Sequence, residues 1–423
     1  MWERKPLQAV ADLCLGKMLD QKKNRGELFP YLANVNVRWG EFELSNLRTM
    51  RFEPKEMDRY GLKFGDIVMC EGGEPGRCAI WKDQIPGMMM QKALHRIRPK
   101  DFLDHRFLFY SFVHLGQTKV FDQYFTGATI KHLPGEKLAK IEVDVPPLPV
   151  QQRIAGILSA YDELIENSQR RIKILEEMAR GLYREWFVHF RFPGHEDIPR
   201  VPSTLRQIPE GWEVKKLGAI ITAHIGGGWG KDAQDEEHTE PAWVIRGTDI
   251  PGARHSQVAG VPYRTHAASN LRSRKLVARD IVFEVSGGSK GQPVGRSLLV
   301  TPELLSSLGG DVICASFCKR IQPDSDGYGS ELLYLSFLEG YESGEIEQYQ
   351  VQSTGISNFK WTEYIANTDR VIPPQALREQ FREQVAPILT QVATIGRKIQ
   401  ILSRTRDLLL PRLLSGHIDM GGS

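Results

Sequence analysis

The chain has little cysteine: five residues in 423, including Cys70 and Cys78, then Cys314 and Cys318, with no CxxC pair. An odd, sparse set without close ligand spacing or histidine partners argues against a zinc site and fits reduced thiols in a cytoplasm. No apolar run approaches the ~20 residues needed to cross a bilayer. The N-terminus opens Trp2-Glu3-Arg4-Lys5 with no apolar signal core, so neither secretion nor a membrane is expected. Neither sign of charge dominates, with 55 Lys and Arg against 52 Asp and Glu. The resulting pI of about 8.5 is below the strongly basic character that alone argues for nucleic acid. Any DNA-binding cations must therefore be concentrated on particular faces. Hydrophobic content of 41% and charged content of 25% are those of a soluble globular protein. The length exceeds what one core supports, so two or three domains are expected.

Catalytic constellations are also missing. Gly230-Lys231 is followed by Asp232, and position 225 is Ile, so a phosphate-binding loop fails twice. Gly226-Gly227-Gly228-Trp229-Gly230 lacks dinucleotide-fold spacing, and its glycines point to a flexible or tightly turning backbone. The Pro146-Pro147 and Pro373-Pro374 pairs lack the flanking residues of an adenine methyltransferase motif. Pro323-Asp324 begins like a nuclease motif, but the acid-x-Lys element does not follow. The eleven histidines form no HExxH set, so the chain reads as a binding subunit without a catalytic or metal site.

What the sequence does contain is a repeat. Ile154, Leu158, Tyr161, Ile165, Ser168, Ile172, Leu175, Ala179, Leu182 and Trp186 alternate steps of four and three, the 3.5-residue period of a coiled-coil seam. A constant offset of 227 gives Phe381, Val385, Ile388, Val392, Ile395, Ile399, Leu402, Arg406, Leu409 and Leu413. Upstream, Asp66-Ile67-Val68 answers Asp280-Ile281-Val282, Gly76-Arg77 answers Gly295-Arg296, and Thr126-Gly127 answers Thr354-Gly355. The scaffold is shared while the loops diverge, as expected where loops carry separate specificities.

The expected fold is α+β: two mixed α/β globules and two long antiparallel coiled-coil helices in a pseudo-twofold internal repeat. Its pieces are a first globule 1–149, a first long helix 150–190, a Pro/Gly-rich linker 191–209, a second globule 210–372, a second long helix 373–415 and a tail 416–423. About 38 helical residues would make a rod of roughly 57 Å. Strands are expected at Tyr31 to Val37, Asp66 to Cys70, Ala93 to Ile97, Trp243 to Arg246, Asp280 to Val285 and Val312 to Cys318. Shorter helices are expected at Phe102 to Leu115 and Glu331 to Leu338. Pro387 predicts a kink or a delayed start in the second long helix. Ser168 and Arg406, polar on the seam, are candidates for setting register.

The first long helix is introduced by Pro146-Pro147-Leu148-Pro149-Val150-Gln151-Gln152-Arg153-Ile154-Ala155-Gly156-Ile157-Leu158 and ends Leu182-Tyr183-Arg184-Glu185-Trp186-Phe187. The second closes with Leu408-Leu409-Leu410-Pro411-Arg412-Leu413-Leu414-Ser415-Gly416. With two variable globules, these segments resemble the specificity subunit of type I restriction-modification systems. The resemblance implies that the globules are target recognition domains, each meeting one half of a bipartite double-stranded DNA site. It also implies a non-catalytic, cytoplasmic prokaryotic subunit on which two methyltransferase subunits and restriction-translocase subunits assemble. S-adenosylmethionine, ATP and Mg2+ would belong to those partners. A structural scaffold holding two protein-binding domains apart is the alternative, and it predicts no salt-dependent DNA affinity.

Candidate DNA contacts in the first globule are Lys22, Lys23, Arg25, Asn34, Arg77, Lys92, His95 and Lys131. In the second they are Lys231, Arg246, Arg272, Arg274, Lys290, Gln292, Arg296, Asn358 and Lys360. Asn and Arg suit bidentate contacts to adenine and guanine, while Lys suits phosphate. Arg77 and Arg296 stand out because they occupy equivalent loops. Trp186, Phe187 and Phe190 are candidate exposed anchors for a partner, or caps of the rod against the adjacent globule.

Overall fold

A computed structural model describes residues 2–18, 20, 24–288, 292–324, 327–353 and 355–416. The chain divides into two compact units, one of residues 1–164 with 402–423 and the other of residues 165–401.

The first unit opens with β1 (Glu3–Pro6), a single turn α1 (Leu7–Val10) and β2 (Ala11–Leu15). There follow β3 (Glu27–Leu32), β4 (Arg48–Phe52), α2 (Pro54–Tyr60), β5 (Ile67–Cys70), β6 (Cys78–Ile80), β7 (Met89–Met90) and β8 (Leu94–Pro99). Helix α3 (His105–Gln117), α4 (Gly135–Leu138), β9 (Glu142–Val145) and the long α5 (Leu148–Tyr183) complete the ascending chain. Asp104 starts α3 by accepting the Arg106 and Phe107 backbone N–H groups, satisfying donors that a helix start leaves orphaned. The strands make a four-stranded sheet of order β2-β8-β5-β6, a three-stranded sheet β4-β3-β7, and the pair β1-β9.

After a short hairpin of β10 (Arg200–Val201) and β11 (Ile208–Pro209), the second unit repeats this plan. Its elements are β12 (Glu213–Lys216), β13 (Ile221–Gly226), β14 (Glu240–Ile245), α6 (Ile250–Ala253), β15 (Tyr263–His266), α7 (Ala268–Arg274), β16 (Ile281–Glu284) and β17 (Ser286–Gly287). Then come β18 (Ser297–Leu299), α8 (Pro302–Leu308), β19 (Val312–Cys314), β20 (Cys318–Pro323), α9 (Ser330–Glu342), β21 (Gln350–Ser353), β22 (Ile356–Phe359), α10 (Trp361–Asn367), β23 (Asp369–Ile372) and α11 (Gln375–Leu414). The sheets are β13-β20-β16-β18, β15-β14-β19 and β12-β23, the same orders strand for strand. Register is kept too: Ile67 faces Ile97 and Ile281 faces Ile321. The repeat seen in sequence is therefore a repeat of topology. A further three-stranded sheet, β17-β22-β21, is the second unit's addition. The stretch Val312 to Cys318, expected as one strand, is two strands in different sheets, turning at Ala315 to Phe317.

Each unit encloses parts of both long helices. In the first, Ile154, Ala155 and Leu158 of α5 share a core with Leu410, Leu413 and Leu414 of α11, together with Phe107, Phe112 and Ile67. In the second, Ala179, Tyr183 and Trp186 join Phe381 and Val385 around Phe283, Phe337 and Tyr364. The start of one helix thus lies beside the end of the other, an antiparallel pairing. Ile165, Ser168, Ile172, Val392, Ile395 and Ile399 are buried, and Tyr161, Leu175, Leu182, Ile388, Leu402 and Leu409 half-buried, so no seam position is exposed. Burying a Leu or Ile side chain in this way contributes ~1.5–3 kcal/mol. Arg406, the polar seam residue, is satisfied by Asp162, which also accepts the Tyr110 hydroxyl at 2.5 Å.

Pro387 does not delay α11, which begins at Gln375 and runs through it. Trp186, Phe187 and Phe190 are not exposed anchors. They are 6%, 3% and 3% exposed, and Phe187 meets Phe381 at 4.7 Å and Trp212 at 5.9 Å. Their surface is spent on the core of the second unit, which is the capping alternative. No described helix is long and apolar enough to cross a membrane.

Candidate nucleic-acid interface

In the first unit, one end of the four-stranded sheet gathers the exit of β2, the exit of β5, the entry of β6 and the entry of β8, because neighbouring strands are antiparallel. That end therefore carries Gly16-Lys17-Met18, Glu71-Gly72-Gly73, Gly76-Arg77 and Gln91-Lys92. The turn after β3, residues Asn34–Asn36, closes over it: the Arg77 Nη2 donates to the Asn34 carbonyl at 3.1 Å, and the Asn34 amide reaches the Gly72 carbonyl at 3.4 Å. His132 comes in from the Thr126-Gly127 turn, bridging both Gly72 and Thr126. A Cβ on Gly72 would sit 2.9 Å from the His132 Nδ1, so only glycine lets this strand approach. Gly127, at φ 93°, makes the turn itself. Asn34, Arg77 and His132 are thereby brought to one place.

The second unit builds the same end from the exits of β13 and β16 and the entries of β18 and β20. The turn after β14 is fastened as in the first unit: Asn36 accepts the Ala33 N–H at 3.0 Å, and Asp249 accepts the Arg246 N–H at 2.9 Å. Leu133 donates to the Glu71 carbonyl at 2.7 Å, and Phe359 donates to the Val285 carbonyl at 2.8 Å. Asn358 thus stands where His132 stands in the first unit, and its Oδ1 accepts the Ser286 hydroxyl at 2.7 Å.

The two equivalent arginines differ in what faces them. Position 70 is Cys, and burial pushes its thiol up, keeping it neutral. Arg77 therefore has no buried counter-ion. It pairs with exposed Glu74, and its Nε is buried without a hydrogen-bond partner. The equivalent of Cys70 is Glu284, 2% exposed, and Arg296 gives it both Nε, at 2.8 Å, and Nη2, at 2.5 Å. That bidentate bond raises the Arg296 guanidinium above its ordinary value. Arg296 is a structural cation with its fork occupied, which corrects its expected role as a base reader. Arg77 has no such lock: its Nη1 pairs with a carboxylate at the surface and its Nη2 with a backbone carbonyl.

Other candidates fall into groups. His95 is buried in β8 with Nε2 2.8 Å from the Leu133 carbonyl; burial holds it below the usual histidine range, so it belongs to the core and not to a DNA surface. Arg246 caps its turn through a bidentate contact to Asp249 at 2.8 Å. Arg274 donates to the Gly226 carbonyl at 2.9 Å and holds the glycine loop. Lys131 lies over Phe125 at 5.7 Å and 3.6 Å from Asp122, Lys231 pairs with Asp235 at 2.6 Å, and Lys360 with Glu363 at 3.0 Å. All three are exposed, as are Arg25, Arg272 and Gln292, while Lys92 is half-buried. Lys22, Lys23 and Lys290 lie outside the described residues. The described residues hold no cluster of metal-ligating side chains.

Sequence reasoning missed His132, Ser286 and Glu284. The repeat contained the signal, since the 214-residue offset that aligns Asp66 with Asp280 also aligns Cys70 with Glu284.

Residues 1–177 match the family model described as the type I restriction modification DNA specificity domain. Over 84% of this chain and 78% of the relative, it is 27% identical to the type I restriction enzyme MjaIX specificity subunit of Methanocaldococcus jannaschii. It is 19% identical to the type I restriction enzyme HindI specificity subunit of Haemophilus influenzae over 91% of this chain and 92% of that one. The fold is that of the type I restriction-modification S subunit from M. genitalium, at a TM-score of 0.58 and 16% identity, covering 98% of this chain and 96% of that one.

Proposed function

We propose, for a chain that is a relative of the type I restriction-modification specificity subunits, that it selects the DNA target of such a complex. Each globule takes one half of a bipartite, asymmetric site. The observation that carries this is the pair of equivalent sheet ends, alike in scaffold and unlike in polar loop residues. Asn34, Arg77 and His132 face one half-site; Ser286, Gln292 and Asn358 face the other. Base pairs between the halves are met only through shape. The exposed lysines touch phosphate and position the protein without specifying sequence.

The chain acts through partners. Two methyltransferase subunits bring S-adenosylmethionine for N6-adenine methylation, and restriction-translocase subunits bring ATP and Mg2+ for cleavage of unmodified DNA. The chain supplies the address and no chemistry, in the cytoplasm of a prokaryote. The test is binding of the chain with its methyltransferase to a duplex carrying the sequence found methylated in the host genome. Affinity should fall with salt at a slope of about −0.9 per neutralised phosphate in log–log form. Altering either half-site should weaken binding separately. A salt-independent affinity, or none, would favour a protein-spacing scaffold.

A further inference from the structure

The glycine loop after β13 forms no nucleotide site, yet it is held with unusual care. Gly227 donates to the Cys318 carbonyl and Gly228 to the Cys314 carbonyl, both at 2.9 Å, and Arg274 holds the Gly226 carbonyl. A Cβ on Gly227 would lie 2.1 Å from the Cys314 oxygen, so the loop presses onto the sheet backbone. Gly230, at φ 68°, turns directly above the His266 ring; a Cβ there would lie 2.7 Å from it. Arg264 donates to the Trp229 carbonyl at 2.7 Å and lays its guanidinium over the Trp229 ring at 4.5 Å. The outcome is a rigid loop whose apex is Trp229, 40% exposed, with Lys231 two residues on and paired with Asp235.

The pinned backbone and the Arg264 guanidinium over its ring hold this indole at the surface in one orientation. The loop leaves the same sheet end as Glu284–Gly287 and Arg296. Phe317, 54% exposed, stands at that end as well, accepting the Val285 N–H at 2.8 Å through its carbonyl. In the first unit the residue equivalent to Trp229 is Met18, also exposed, so both units present a large apolar side chain at this point. A flat aromatic backed by a guanidinium has the chemistry that receives a nucleobase face, while Asp232 and Asp235 engage the neighbouring Arg264 and Lys231 charges.

We propose that Trp229 is a base-stacking residue of the second recognition globule, held against its half-site by Arg264, so that this globule recognises DNA partly by an unstacked or exposed base. This rests on the DNA-recognition reading above. The experiment compares the assembled methyltransferase complex carrying wild-type chain, Trp229→Ala or Trp229→Phe, binding the methylation-target duplex across a salt series. Trp229→Ala should weaken binding on the order of 10–100-fold, with Trp229→Phe within about threefold of wild type. The salt slope should not change, because no phosphate contact is removed. On duplexes whose second half-site is altered, the difference between wild type and Trp229→Ala should shrink, because the contact that separates them is no longer made. Equal binding by wild type and Trp229→Ala, or a loss matched by a flatter salt slope, overturns the stacking role. A weaker assembly of Trp229→Ala with the methyltransferase in the absence of DNA assigns Trp229 to a protein contact and also overturns it. Failure of the wild type to bind DNA at all strikes the functional reading instead.

Discussion

Removing Arg296 is predicted to damage the second unit rather than to relax its reading of DNA. Its side chain is 11% exposed and its partner Glu284 is 2% exposed. The pair makes two charge-assisted hydrogen bonds, and Gly247 leaves room for the carboxylate, since a Cβ there would lie 2.3 Å from the Glu284 Oε1. Arg296→Ala strands an acidic group in the core, which costs ~3–5 kcal/mol when one partner of a buried pair is lost. For a unit of this size each kcal/mol lowers the midpoint by ~2–4 °C. Calorimetry should therefore show the melting of the second unit fall by roughly 6–20 °C. Replacing both residues, Glu284→Gln with Arg296→Met, should recover much of the loss, since the penalty comes from the uncompensated charge. An Arg296→Ala protein that melts like wild type but loses affinity for one half-site alone would refute the argument.

Arg77→Ala should behave in the opposite way. Its carboxylate partner Glu74 is 59% exposed, so that pair adds about 1 kcal/mol or less, and the lost bond to the Asn34 carbonyl adds ~1 kcal/mol. Binding weakens by ~1–3 kcal/mol at the first half-site only, read by titrating duplexes altered in each half separately. Stability should also depend on pH through two buried histidines. Burial depresses both His95 and His266, and His266 has no hydrogen-bond partner on either ring nitrogen. Unfolding lets them take up protons, so stability is complete above pH ~6.5 and declines as pH falls below it. Urea denaturation at pH 5 and pH 7 should show this slope, and His95→Gln should flatten it. Gly396→Ala places a Cβ 1.9 Å from the His255 carbonyl oxygen, and should destabilise the second unit by ~1–3 kcal/mol in the same denaturation assay.

Sequence alone determined the long helices, because a 3.5-residue apolar period over ten positions leaves few other structures. It also determined that the chain is a twofold repeat, since one offset carried Ile154 onto Phe381 and Leu158 onto Val385. Most strands of the two globules were legible as apolar runs, although Val312 to Cys318 was not legible as two strands, and the strand expected at Tyr31 to Val37 ends at Leu32 and gives way to the Asn34–Asn36 turn. Nothing local in that run marks the turn at Ala315 to Phe317, which depends on which sheet each half joins. The polar candidates were legible only as types. Arg77 and Arg296 each follow a glycine at the entry of an equivalent strand, and only the residue across the strand, Cys70 in one unit and Glu284 in the other, decides which guanidinium is locked. Trp186 and Phe187 resemble exposed anchors until Phe381, almost two hundred residues away, is packed against them. Periodicity is a property of neighbours along the chain and survives in the sequence. Burial and ion pairing are properties of neighbours in space, and tertiary structure alone assigns them.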